Sequence, residues 1–267
     1  MPRPARPGAR PLALITGVGR TVGIGAGIAR RLAASGWDLA FTYWAPYDAR
    51  MAWGSEPGAT SAITDALAQH GAATKAVEAD LADPETPARV FDEVERDLGG
   101  VTALVMCHCE SVDSGLLDTT VESFDRHFAV NARASWLLIR EYGRRFAAAP
   151  GSGRIIALTS DHTVDNLPYG ASKGALDRIT LAAAHELAHL GITANVVNPG
   201  PVDTGWMTEE GRARAAPDAA RPPRHPAGHR PPRRLPLLTG GPVDQRPTPH
   251  EQRRVRVAPP ACLRTHL

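Results

Sequence analysis

The stretch Leu12-Ala-Leu-Ile-Thr-Gly-Val-Gly-Arg-Thr-Val-Gly-Ile-Gly25, continuing into Ala26-Gly-Ile-Ala-Arg-Arg-Leu-Ala-Ala34, changes character twice. It opens as a short apolar run of buried-strand length and passes through Gly17, Gly19, Gly23 and Gly25. It then takes up helical periodicity until Gly36. A strand, a glycine-rich turn and a helix N-terminus together make an anion site. Backbone N–H groups point outward, the helix dipole favours negative charge, and glycines let a diphosphate approach the backbone. An ordinary strand-to-helix turn also uses glycine, but four glycines within nine residues favour nucleotide binding.

Working outward, the pattern alternates. Apolar runs at Asp38–Tyr43, Lys75–Asp80, Thr102–Met106, Arg154–Leu158 and Ile192–Val197 read as strands. Between them, helical patterns cover about 59–71, 84–98, 121–148 and 169–190. Strict β-α alternation with buried strands predicts an α/β fold of the Rossmann type. This is a doubly wound parallel sheet in three layers, with ligands at the C-terminal ends of the strands. The glycine turn, Asp80, Ser160 and Asn198 all fall at such ends.

The helix after the fifth strand opens with Tyr169-Gly-Ala-Ser-Lys173. Four residues is close to one turn, so the phenol and the ammonium share a face. A cation beside a phenol favours the phenolate and brings its proton within reach of neutral pH. Ser160 can place a hydroxyl near that phenol. Such a group suits moving a proton on or off a carbonyl or alcohol oxygen, although a Tyr-x-x-x-Lys on a solvated face is common by itself.

Composition narrows the classes. At 267 residues the chain suffices for one large α/β domain or two small ones. No apolar run approaches membrane-span length, and the basic start Met1-Pro-Arg-Pro-Ala-Arg-Pro has no apolar core behind it. Three cysteines do not make a disulfide framework, so a cytoplasmic location is expected. Cys107-His-Cys109 invites a metal reading, but strand alternation sends neighbours to opposite faces, and no metal is expected.

Together these residues resemble the short-chain dehydrogenase/reductase family from about Pro11 to Met207, most closely its 3-oxoacyl-carrier-protein reductases. The resemblance implies hydride transfer between a nicotinamide cofactor and a carbonyl/alcohol substrate. Tyr169 would exchange the proton and Lys173 would lower its pKa and hold the nicotinamide ribose. Ser160 would bind the substrate oxygen, and Asn131 would support a water relaying protons to Lys173. Cofactor contacts are implied for Thr16, Gly17, Gly19, Arg20, Gly23, Ile24, Gly25, Asp80, Leu81, Asn131, Tyr169 and Lys173. Pro199, Gly200, Val202 and Thr204 follow, in Asn198-Pro-Gly-Pro-Val-Asp-Thr204, which looks like the family's segment after the sixth strand.

Three departures stand out. Five residues separate Gly17 from Gly23, although Gly19-x-x-x-Gly23-x-Gly25 restores the spacing in another register. The family's Asn-Asn-Ala-Gly is here Met106-Cys-His-Cys109, which removes amides that brace the sheet and line the adenosine pocket. The interval from Ser160 to Tyr169 is short, so the loop Asp161–Pro168 must be tight, and its His162 and Asp165 either touch substrate or are solvated. With no acid at the end of the second strand (Thr42-Tyr-Trp44), and with Arg20 in the turn, NADP is expected ahead of NAD; Asp48 is the counter-indication.

Residues 1–10 read as a disordered extension. Residues 208–267 are an Arg/Pro-rich tail without periodicity. One reading is a basic tail touching nucleic acid, but it lacks interleaved aromatics and any zinc-finger framework. The other is a slipped reading frame. With suitable codons, Val243–Arg254 read one base later gives W-I-N-G-Q-L-L-T-S-N-G-G, and Gly228–Leu235 permits D-T-A-R-L-V-A-F. Both strings look like the family's closing helix and last strand. The expectation is therefore a small-molecule substrate, no nucleic acid and no membrane. It includes the loss of the seventh strand and of much of the homo-oligomer interface that the resemblance implies. The rivals are a non-catalytic dinucleotide-binding protein and an inactive, truncated reductase.

Overall fold

The structure, a computed structural model, describes residues 10–205. Of the expected extension, residues 1–10, Arg10 is described and is held in place, donating to the Ala33 and Trp37 carbonyls and pairing with Asp38. Residues 1–9, the domain end at Met207, the tail 208–267, its shifted frame and the seventh strand lie outside the described residues.

Six parallel strands form one sheet in the order β3-β2-β1-β4-β5-β6. They are β1 (Leu12–Thr16), β2 (Asp38–Tyr43), β3 (Thr74–Glu78), β4 (Ala103–Met106), β5 (Gly153–Leu158) and β6 (Ile192–Val197). The helices are α1 (Ile24–Ala34), α2 (Ala45–Arg50), α3 (Ala59–Ala68), α4 (Thr86–Asp97), α5 (Val121–His127), α6 (Ala134–Arg145) and α7 (Leu167–Glu186). The Rossmann-type α/β expectation holds. α1 packs with α3, while α4, α6 and α7 pack in series on their own part of the sheet.

Alternation along the strands explains the layers. Leu12 and Leu14 of β1 join Leu104, Met106, Ile155 and Ala157 in one buried cluster with Val90, Phe91 and Val94 of α4 and Leu138 of α6. Their neighbours Ala13, Ile15, Val105 and Ile156 are equally buried, so the strands read as continuous apolar runs. Tyr142 is buried in the same cluster with its hydroxyl satisfied: it donates to the Thr102 carbonyl at 2.6 Å and accepts from the Arg154 N–H at 3.1 Å.

Two elements differ from the sequence expectation. The long loop after β2 contains α2, a six-residue helix started by Pro46 and too short to show a period. The expected helix over 121–148 is three pieces: α5, a π-helical segment Phe128–Arg133, and α6. The wider turn lies at Asn131, where the side chain is drawn inward to hydrogen-bond the segment after β4.

Candidate active site

β1 pairs with β2 on one side and β4 on the other, so chain direction across the sheet reverses between them. A crevice opens at the C-terminal ends of these strands, as such switch points require. Gly17, Gly19, Arg20 and Gly23 line it from the glycine turn, Asp80 and Leu81 from beyond β3, and Cys107–Glu110 from beyond β4. Six of the residues expected to hold a cofactor therefore share one wall system. Thr16 lies fully buried behind them, and Ile24 and Gly25 open α1.

The turn fits a dinucleotide. Gly17 has φ +73°, and a Cβ there would lie 2.6 Å from the His108 backbone. At Gly25 a Cβ would lie 3.0 Å from the Gly17 carbonyl oxygen. Gly23 stands at the N-cap of α1 with no side chain over its first amides. The backbone is bare where a diphosphate would meet it.

The second half of the site is built on α7. Lys173 is buried, and its Nζ donates to the Leu158 carbonyl at 2.8 Å and stands 5.6 Å from the Tyr169 ring centre. Burial lowers the lysine pKa, opposed by Cys109, Cys107 and Asp177. Tyr169 departs from expectation. Burial drives its pKa above the ordinary phenol range, Cys109 adds to the rise, and a hydrogen bond with Ser160 only partly offsets it. Burial dominates the balance at this phenol, with the Lys173 ammonium 5.6 Å from the ring. The phenol keeps its proton throughout the neutral range.

The short loop before α7 closes over Gly170, where a Cβ would lie 2.2 Å from the His162 carbonyl oxygen. Ser160 Oγ accepts the His162 N–H at 3.1 Å, the His162 ring meets Tyr169 edge-on, and Asp165 takes φ 64°. The tight span is thus bridged by a glycine on the helix rather than by slack in the loop.

Asn131 is fully buried and its amide is committed. Oδ1 accepts the Glu110 N–H at 2.7 Å, and Nδ2 donates to the Glu110 carbonyl at 2.9 Å and to Ser172 Oγ at 2.8 Å. It clamps the segment after β4 to α7. The loop Pro199–Thr204 follows β6, with Gly200 at φ 65°. It is joined to the glycine turn by the Arg20 guanidinium, which donates to the Thr204 carbonyl. Pro199, Gly200, Val202 and Thr204, like Asn131, Ser160, Tyr169 and Lys173, lie outside the wall of that crevice.

The amides missing from 106–107 are replaced by a ring. His108 Nδ1 meets Thr16 Oγ1 at 2.6 Å and Nε2 meets the Val130 carbonyl at 3.0 Å. Val130 O can only accept, so Nε2 carries the proton and Nδ1 accepts from the threonine hydroxyl. Burial and then Lys173 push the His108 pKa down to about 3, against the Val130 bond. Burial also raises Cys107 to about 12 and lifts Cys109. Among the described residues no cluster of ligating side chains could hold a metal ion.

Sequence reasoning missed α2 and its partners. Arg50 and Arg126 both pair with Glu110, whose side chain is 4% exposed. Arg126 also reaches Asp80 at 3.9 Å. Asp48 takes Trp53 Nε1–H at 3.0 Å and lies against Gly19, while Arg20 stacks on the Trp53 ring. The signal available was position alone: Glu110 follows a strand end at the switch point.

Comparison with known proteins agrees with this geometry. The family model described as enoyl-(acyl carrier protein) reductase matches residues 17–229. An uncharacterized oxidoreductase, YjdA, of Bacillus subtilis is 36% identical over 74% of this chain and 78% of its own. The chain belongs to the short-chain dehydrogenase/reductase family. Among solved structures, a dehydrogenase/reductase from Sinorhizobium meliloti superposes with a TM-score of 0.70 at 32% identity, covering 82% of this chain and 84% of the other. A blue fluorescent protein from a metagenomic library, in complex with NADPH, also gives 0.70 at 32% identity over 81% and 86%. This member of the family is an oxidoreductase dependent on a nicotinamide dinucleotide. No helix among the described residues is long and apolar enough to cross a membrane.

Proposed function

We propose that the protein reduces a carbonyl on a small molecule, 3-oxoacyl thioesters being the first class to test, with NADPH as the preferred reductant. The observation that carries this reading is the half-buried phenol of Tyr169 on the helix that also buries Lys173, with the ammonium 5.6 Å from its ring. The nicotinamide dinucleotide, when bound, supplies the hydride. As charge builds on the substrate oxygen, Tyr169 donates its proton to it and Ser160 donates a hydrogen bond. Lys173 holds positive charge beside the phenol and the nicotinamide ribose. Asn131 fixes the Glu110 backbone against α7 and so keeps the two halves of the site in register. Gly17, Gly19, Gly23, Ile24 and Gly25 receive the diphosphate, while Asp80 and Leu81 border the adenine. Pro199, Gly200, Val202 and Thr204 cover the nicotinamide side.

NADPH is supported by the absence of an acid on Thr42-Tyr-Trp44, by Arg20 in the crevice wall and by the NADPH complex of the metagenomic relative. NADH is the second reading, favoured by one observation: Asp48 lies against Gly19, where a carboxylate would take ribose hydroxyls and repel a phosphate.

The test is turnover by the full-length protein. Oxidation of NADPH and of NADH is followed over a panel of 3-oxoacyl thioesters, ketones and aldehydes. Tyr169→Phe is expected to lower kcat by roughly 10²–10⁴-fold with little change in NADPH affinity. NADPH binding without turnover on any substrate would identify a non-catalytic dinucleotide-binding protein instead.

A further inference from the structure

We propose that His108 is a positioning residue for the dinucleotide: the bond its ring accepts from Thr16 sets the height of the glycine turn, while the bond to the Val130 carbonyl anchors the far side of the ring. The proposal rests on the cofactor reading above, but not on turnover.

The glycine turn has a floor, and the floor is His108. Gly17 approaches its backbone so closely that a Cβ would lie 2.6 Å from both its N and its Cα. Any movement of residue 108 is therefore a movement of the first turn amides. Hydrogen bonds fix residue 108 in turn. Thr16, the last residue of β1, accepts the Cys107 N–H at 3.2 Å and gives its own hydroxyl proton to His108 Nδ1. On the far side Nε2–H reaches Val130, with the Ser135 hydroxyl at 3.4 Å. Val130 precedes Asn131, whose amide clamps Glu110, so the ring closes a circuit from β1 through the π-helical segment back to the segment after β4. Thr16 is fully buried and His108 is 8% exposed, so water does not replace a lost partner without cost. Residues 106 and 107 are Met and Cys, so neither offers an amide side chain to the end of β1. The bridge needs an acceptor and a donor on one ring, hence a neutral imidazole. Burial and the facing Lys173 ammonium keep it so.

The two bonds separate by substitution. In His108→Asn, Oδ1 takes the place of Nδ1 and still accepts from Thr16, but nothing reaches Val130. In His108→Gln, Nε2 still reaches Val130, but the Thr16 partner is gone. Each keeps one bond of two, so melting temperatures fall together if the ring is only structural. NADPH dissociation constants, read by NADPH fluorescence on the full-length protein, distinguish the cases. We expect His108→Gln to weaken NADPH binding about tenfold and His108→Asn to stay within about threefold of wild type. Equal NADPH affinities for the two variants overturn the proposal, even if both melt early. Should either fail to fold, Thr16→Ser against Thr16→Val gives the contrast from the other end: Val weakens binding about tenfold and Ser does not. Equal affinities there overturn it too. A wild-type protein that binds neither NADPH nor NADH sinks the cofactor reading itself, a result distinct from wild-type binding that the variants leave unchanged.

Discussion

The turn after β1 and the segment after β4 lie against each other and line one crevice, yet they relate differently to the family pattern. The first keeps its glycines; the second keeps none of Asn-Asn-Ala-Gly and reads Met106-Cys-His-Cys109. Where backbone itself must touch a partner, at Gly17 against His108 or Gly25 against Gly17, a side chain has no room. Where the requirement is only a donor and an acceptor across a buried gap, an imidazole serves as well as an amide. Constraint by volume preserves residue identity. Constraint by hydrogen-bond inventory preserves only the inventory.

The sharpest way to break that contrast is Gly17→Ala. The new Cβ meets the His108 backbone, and the positive φ adds strain of its own. NADPH affinity is expected to fall by about 10²-fold or more, with a clear drop in melting temperature. Retained affinity would show that the turn is softer than its geometry states. Gly170→Ala poses the same volume test in the catalytic half. A Cβ 2.2 Å from the His162 carbonyl must displace the loop that holds Ser160. A loss of about 1–3 kcal/mol in stability is expected, and kcat should fall more than NADPH affinity does. Equal losses in both would mean that the two halves move as one.

The inventory side of the contrast is tested by pH. His108 has a folded pKa near 3, well below that of an exposed imidazole. The unfolded chain then binds the extra proton, so the stability from this site is complete above about pH 6.5 and is lost as pH falls towards 3. The slope from one such group cannot exceed about 1.4 kcal/mol per pH unit. His108→Asn should remove that slope from urea-denaturation curves between pH 6.5 and 4.5, and an unchanged slope assigns it elsewhere.

The same distinction explains what could be read in advance. Helical spacing put Tyr169 and Lys173 on one face, whereas Asn131 was singled out only by the family resemblance. The sheet and the glycine turn were legible because period and spacing encode them. The break in the helix at Phe128–Arg133 was not, since nothing local marks it; its cause is a long-range pull on Asn131. Nor was α2, six residues long, or the pairing of Arg50 and Arg126 with Glu110. The pKa of Tyr169 was misread for a related reason. Helical spacing puts Lys173 on the correct face, but spacing says nothing of the burial that dominates the phenol.

The smallest expected effect concerns Asp48, and it probes the seam between the two kinds of constraint. Asp48 lies against Gly19 in the preserved turn, but α2 and the Trp53 indole hold it there. Arg20, the cation that would favour a 2′-phosphate, is stacked on that same indole and donates to Thr204. Carboxylate and guanidinium therefore oppose each other across one tryptophan. Removing the negative charge while keeping the shape leaves Arg20 unopposed. Asp48→Asn should raise the NADPH-to-NADH ratio of kcat/KM about three- to tenfold, chiefly by improving NADPH, and the gain should shrink as salt is added. If NADH use falls instead while NADPH use is unchanged, Asp48 acts as a ribose ligand rather than as a repelling charge. The cofactor preference would then be set by a hydrogen bond, as at His108, and not by the field across the crevice.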